Sequence, residues 1–256
     1  PFAATGTAHV LAVSGLHVGM VFGLLSILVL LVPSIRMRRP FRAVFIACGL
    51  LGYSWLTGFS PSVVRSSIMF TGWMISMTLE RDRYSPNGLW LAALLSLVIW
   101  PRWIFSAGFH LSYAAVSAIL LGFKKWELPD HWPIWAKRIG AMVQVTLFAQ
   151  LGTMAVSWYY FELFPVYFLP ANLFFTPLVA LLLYGSWLTL AFSFAPGGAW
   201  VVYLYDGAVE YYQEGLSAIA RLPFSVVIKK LTLLGLSINA MISWALILRI
   251  KKAKSI

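Results

Sequence analysis

The chain has 256 residues, 61% of them apolar and only 11% charged, with 12 Trp, 18 Phe and 11 Tyr. Soluble domains carry roughly 45–50% apolar and about 25% charged residues, so this composition excludes an ordinary soluble globule and predicts an integral membrane protein. Nineteen Lys and Arg against eight Asp and Glu give a formal charge of +11, an excess that serves either membrane topology and lipid contact or an anionic cargo.

Several windows of about 20 residues hold few or no charges, enough for a helix to cross a hydrocarbon core of about 30 Å. The period-2 alternation of an outer-membrane barrel is absent. The expected fold class is therefore all-α: a polytopic helical bundle of about eight transmembrane helices plus one interfacial amphipathic helix, with broken helices near the pathway. Spans are predicted over 8–32, 41–59, 61–79, 86–101, 103–123, 138–160, 167–195 and 231–250.

The first span contains HVLAVSGLHVGMVFG, where Gly15, Gly19 and Gly23 fall four residues apart and form a smooth helix-packing stripe. Ser14 and Gly15 are also candidates for a break in that helix, with His17 just beyond it. His17 is either a neutral imidazole bonded to a neighbouring helix or a polar contact in a cavity. The lone Cys48 lies in an apolar run and reads as a small buried or lipid-facing residue, so no disulfide framework is possible within the chain.

The stretch LTGFSPSVVRSSI marks a helix start. Gly58 allows a turn, Ser60 is a preferred N-cap and Pro61 suits the first helical position. A helix N-terminus carries about half a positive charge and attracts anions. Arg65 lies one turn in, and helical side chains lean toward the N-terminus, so its guanidinium is expected to reinforce that positive end. No acidic residue is near in sequence, whereas Thr57, Ser60, Ser62, Ser66 and Ser67 make the surroundings polar. The competing reading is an arginine that snorkels to the headgroups.

Further along, GFHLSY places His110, Ser112 and Tyr113 in the fifth span. The loop WELPDHWPIWAKR has the tryptophans of an interfacial anchor, and His131 within it reads as bland, as does His9. FLPANLFFTP sets Asn172 between Pro170 and Pro177, and the two prolines predict an interrupted helix bordering a pathway. In 200–221, Asp206, Glu210 and Glu214 form one acidic stripe on an apolar, tyrosine-rich helix. An interfacial helix is expected there; the alternative is a crossing helix whose stripe faces a wet cavity.

Basic residues occupy every second loop, at Arg36–Arg42, Arg81 and Arg83, and Lys124–Arg138. That pattern puts those loops in the cytoplasm and the N-terminus outside. The terminal RIKKAK departs from the scheme if 200–221 does not cross. With no initiator Met and no signal peptide visible, the chain reads as an excerpt of a larger protein. There is no GxxxxGK[ST] loop, no HExxH and no Cys/His cluster at zinc spacing, so neither cofactor nor metal is expected. No Asp or Glu sits in the middle of a confident span, which disfavours an intramembrane aspartyl protease, and Ser14 with His17 lacks an orienting acid for a hydrolase.

HVLAVSGLHVG, LTGFSPSVVRS and GFHLSY, in this order, resemble the membrane-embedded competence domain of the ComEC family of DNA-uptake proteins, from about residue 5 to 250. His110 stands where that family usually has glutamine, and the C-terminal third resembles it mainly in hydropathy. The resemblance implies one membrane domain over 1–256 in the bacterial inner membrane, with OB-fold and metallo-β-lactamase-like domains flanking it in the full protein. It implies a non-enzymatic channel for single-stranded transforming DNA. Expected partners are single-stranded DNA, the lipid bilayer, those flanking domains, a cytoplasmic DNA translocase or helicase and an external DNA-binding receptor. Positive grooves and aromatic faces suit such a strand, so Arg65, Ser60, Pro61, Ser14, His17, His110, Ser112, Tyr113 and Asn172 are the expected pathway residues, with Trp55 and Phe59 as further ring faces. The alternative is a permease for a small anionic solute, using the same arginine.

Overall fold

The computed structural model describes residues 5, 15–31, 39–78, 87–195, 198–228 and 233–249. Among them the chain forms α1 (Gly15–Leu31), α2 (Arg39–Leu56), α3 (Pro61–Thr78), α4 (Asn87–Ile99), a 3-10 turn (Pro101–Phe105), α5 (Ala107–Lys125), α6 (Ile134–Phe161), α7 (Phe168–Phe192), α8 (Gly198–Ala220) and α9 (Leu233–Arg249). Strands β1 (Leu163–Pro165) and β2 (Val226–Ile228) make a two-stranded antiparallel ribbon. Every predicted apolar run is thus a helix, as backbone groups without water require. By length and composition α6 and α7 are long and apolar enough to cross a membrane, and α1, α4, α5 and parts of α2 and α9 are shorter apolar helices.

The chain divides into two compact units, 13–113 and a second made of 1–12 with 114–256. In the first unit α2 and α3 form a tight hairpin. Gly58 at φ +67 and Phe59 at φ +52 turn the chain, in the left-handed region that glycine enters without cost. The core is Val18, Val29, Ile46, Leu50, Val63 and Met74, with Phe22 stacked on Phe70 at 4.9 Å. Gly15 and Gly19 both face α3: a methyl on Gly15 would stand 2.9 Å from Ser66 Oγ, and one on Gly19 3.5 Å from a Phe70 ring carbon. The two pairs advance together along both chains, so α1 and α3 run parallel.

In the second unit the helices alternate in direction. Gly152 meets Ala118 and Ala114, and Gly122 meets Phe148, so α5 and α6 are antiparallel. Small residues here again let backbones approach. The Ser243 hydroxyl approaches the Met154 sulfur at 4.0 Å, and Ile247 packs with Phe148, so α9 runs back along α6. The ribbon pairs Leu163 with Ile228, Phe164 with Val227 and Pro165 with Val226, and Tyr167 donates a hydrogen bond to the Pro223 carbonyl at 3.1 Å.

One expectation is corrected. Helix α7 is continuous from Phe168 to Phe192 through Pro177, because Pro170 lies in the first turn, where the lost N–H has no partner anyway, and one interior proline removes a single bond. Helix α8, expected to be interfacial with a crossing helix as the alternative, is defined by its neighbour. It packs lengthwise and antiparallel on α7, Tyr205 near Gly185 at one end and Tyr212 and Gly215 against Phe175 at the other.

Candidate functional site: a buried arginine without a carboxylate

Helix α3 begins at Pro61, and the Ser60 carbonyl accepts from the Val63 and Val64 amides at 3.0 Å each. The Ser60 hydroxyl itself finds no partner among the described residues, so it is not a side-chain cap. The physical reason is local: the third helical amide, which a capping hydroxyl takes, is already bonded to the Ser60 carbonyl.

Arg65, one turn in, is buried at 7% exposure, which places it inside the helix cluster. Its guanidinium does not fold back over Pro61 as expected. Nη2 donates to Ser66 Oγ at 3.1 Å, and Nη1 approaches the Met69 sulfur, one turn further on, at 4.0 Å. The Ser66 hydroxyl in turn donates to the Ser62 carbonyl at 2.9 Å. The guanidinium carbon stands 6.0 Å from the Tyr113 ring centroid, at the outer limit of a cation–π contact. Nε has no hydrogen-bond partner among the described residues.

The same unit buries further neutral polar groups. Ser67 and Ser54 share a hydrogen bond at 3.0 Å across the α2–α3 hairpin, and Ser54 also donates to the Leu50 carbonyl at 2.8 Å. Ser96 on α4 is buried next to Tyr113. Gly15 closes the α1 side, where a Cβ would stand 3.3 Å from Arg65 Nη2. Within 13–113 the sequence holds only two carboxylates, Glu80 and Asp82, both outside the described residues. Among the described residues the guanidinium has no ion-pair partner.

Of the residues expected on the pathway, Arg65 and Tyr113 come together here, beside Gly15 of the expected packing stripe. Ser60 and Pro61 stand one turn away at the helix start. His17 on α1 and His110 and Ser112 on α5 are half-buried, and both histidines have contacts of their own. Ser14 lies outside the described residues, and Gly23 is half-buried on α1. Asn172 belongs to the second unit, on α7. Trp55 is exposed, and Phe59 packs on Trp100 with ring centroids 5.6 Å apart. Sequence reading missed Ser54, Ser96 and Met69. Ser96 carried a weak signal as the one hydroxyl in the apolar run LAALLSLVI.

A buried guanidinium that donates to one hydroxyl, keeps Nε unpaired and meets no fixed anion among the described residues has donor capacity to spare. A family model described as Competence protein matches residues 1–254. The chain belongs to the competence protein family. Among the relatives of this competence protein, it is 29% identical over 67% of its length to "ComE operon protein 3" of Bacillus subtilis, covering 21% of that protein. It is 33% identical over 46% of its length to "Competence protein ComA" of Neisseria gonorrhoeae, covering 18%. It is 31% identical over 47% of its length to "Recombination protein 2" of Haemophilus influenzae, covering 16%. The chain therefore spans well under a third of each of these relatives. No solved structure matches it.

Proposed function

We propose that this chain is the multi-pass inner-membrane part of a DNA-uptake protein and that it conducts a single DNA strand, with Arg65 meeting the strand's phosphates. The observation that carries the proposal is the buried Arg65 guanidinium, held by a serine hydroxyl and a tyrosine ring with no carboxylate among the described residues. An arginine at a helix centre costs roughly 2.5–3.5 kcal/mol on insertion scales, and a fold keeps such a group where a ligand completes it. Phosphate oxygens match the guanidinium fork, and Tyr113 offers a face of the kind on which bases stack. Membership of the competence protein family supports reading that anion as transforming DNA. The region moves its cargo without cleaving it, and flanking domains and a cytoplasmic translocase supply other steps.

The test compares Arg65→Ala and Arg65→Lys in the full-length protein, measuring internalised labelled DNA at matched membrane levels. A charge-assisted hydrogen bond of about 1.5–3 kcal/mol predicts a loss on the order of tenfold to a hundredfold for alanine, with partial recovery for lysine. Undiminished uptake by the alanine variant removes the phosphate contact.

A further inference from the structure

The acidic stripe of α8 is left unused by the site around Arg65, and its setting is informative. Tyr205 and Tyr212 turn toward α7, and Leu216 is buried. Asp206, Glu210, Gln213 and Glu214 are exposed on the side away from α7. With 23 residues at 1.5 Å each, α8 is about 34 Å long, close to the length of α7 beside it. The ribbon ties the end of α8 back to the start of α7, since β1 precedes α7 and β2 follows α8. Helix α9 then runs from the ribbon end back along α6, Ser243 by Met154 and Ile247 by Phe148, toward the end of α6 that carries Lys137 and Arg138.

We infer that α8 crosses the membrane beside α7 and that its Asp206–Glu210–Glu214 face borders a water-filled space. This rests on the multi-pass reading of the chain. A helix packed antiparallel against a spanning helix from Tyr205 to Gly215, through its middle three turns, spans too. Three carboxylates on one face then cannot meet lipid, because each costs roughly 2.5–3.5 kcal/mol at the helix centre; the stripe requires water. The same crossing returns the chain to the side of the basic loops. Arg249 and the Lys251, Lys252 and Lys254 that follow it in sequence then lie inside, as the positive-inside rule favours, four basic residues against the three of the ribbon loop, Arg221, Lys229 and Lys230, that the same crossing puts outside.

The inference is tested in the full-length protein, in a background lacking other cysteines, with single cysteines probed by impermeant thiol reagents from each side of the membrane. Positions 131 and 164 serve as frame controls, expected to react from inside and outside respectively. A crossing α8 puts Leu222→Cys outside and Lys254→Cys inside; an interfacial α8 reverses both. Within the helix, Gln213→Cys and Ser217→Cys are expected to react several-fold faster with a cationic than with an anionic methanethiosulfonate, while Leu204→Cys, on the apolar side, stays unreactive. Correct controls with reversed labelling at 222 and 254, or inert stripe cysteines, overturn this inference and leave the multi-pass reading standing. Misplaced controls overturn both.

Discussion

Replacing Arg65 by methionine separates a structural arginine from one kept for a ligand. The side chains are similar in length, and the perturbation removes the charge while leaving most of the apolar volume. On the debit side stand one hydrogen bond from Nη2 to Ser66 at 3.1 Å and a distant ring contact at 6.0 Å to Tyr113. Those contribute about 1.5–3 kcal/mol for a charged hydrogen bond and about 0.5–1 kcal/mol for the ring. Ser66 keeps its own bond to the Ser62 carbonyl, so no donor is stranded. On the other side, an ionised group at 7% exposure carries a desolvation penalty of several kcal/mol, which the substitution removes.

The two sides cancel to within about 2 kcal/mol, so Arg65→Met is expected to be neutral to slightly stabilising. Thermal unfolding of the purified protein in detergent, followed by its tryptophan fluorescence, is expected to shift by no more than a few degrees. DNA uptake by the same variant is expected to fall on the order of tenfold or more. A large drop in unfolding temperature with uptake falling only in proportion to surviving protein would refute the reasoning, since it would make Arg65 part of the scaffold.

The remaining predictions follow the glycines and the aromatic wall. Gly15→Ala places a methyl 2.9 Å from Ser66 Oγ and 3.3 Å from Arg65 Nη2, so uptake is expected to fall several-fold with protein levels nearly intact, whereas Gly19→Ala, at 3.5 Å from Phe70, is expected to be close to wild type in the same assay. Gly152→Ala drives a methyl to 2.7 Å from the Ala114 carbonyl oxygen and into Ala118; backbone cannot yield as a side chain can, so a loss of about 1–3 kcal/mol is expected in thermal unfolding. Tyr113→Phe keeps the ring beside Arg65 and is expected to retain most uptake, while Tyr113→Leu removes it and is expected to lose several-fold.

Helix positions were legible because a long apolar run in lipid has one backbone solution, and the turn at Gly58 with Pro61 marked a start that the hydrogen bonds of Ser60 reproduce. The buried serines of this unit were only half legible. Ser66 and Ser67 adjoin Arg65 in the chain, but Ser54 and Ser96 arrive through packing of α2 and α4, which no local pattern encodes. The direction of the guanidinium was misread for the same reason: the helix-wide lean toward the N-terminus yields to a specific acceptor on Ser66. The placement of α8 depended on the ribbon between 163–165 and 226–228, a contact too distant in sequence, and too short, to register as strand periodicity.

The choice of serines and a tyrosine around Arg65 is itself an argument about transport. A carboxylate in place of Ser66 would neutralise the guanidinium in the resting protein, and the phosphate would then have to displace a fixed anion. The Ser66 hydroxyl satisfies part of the fork by a single neutral contact, leaving Nε without a partner among the described residues. Conduction requires a site favourable enough to enter and weak enough to leave. On the proposed reading, one arginine would give a phosphate a contact of a few kcal/mol at most, which a pulling force on the strand would break at each nucleotide. A cluster of several arginines would hold the strand instead of passing it. Adding a second one, as Ser67→Arg, is therefore expected to slow internalisation while increasing DNA retained at the membrane, and faster uptake in that variant would count against a conducting role for the site.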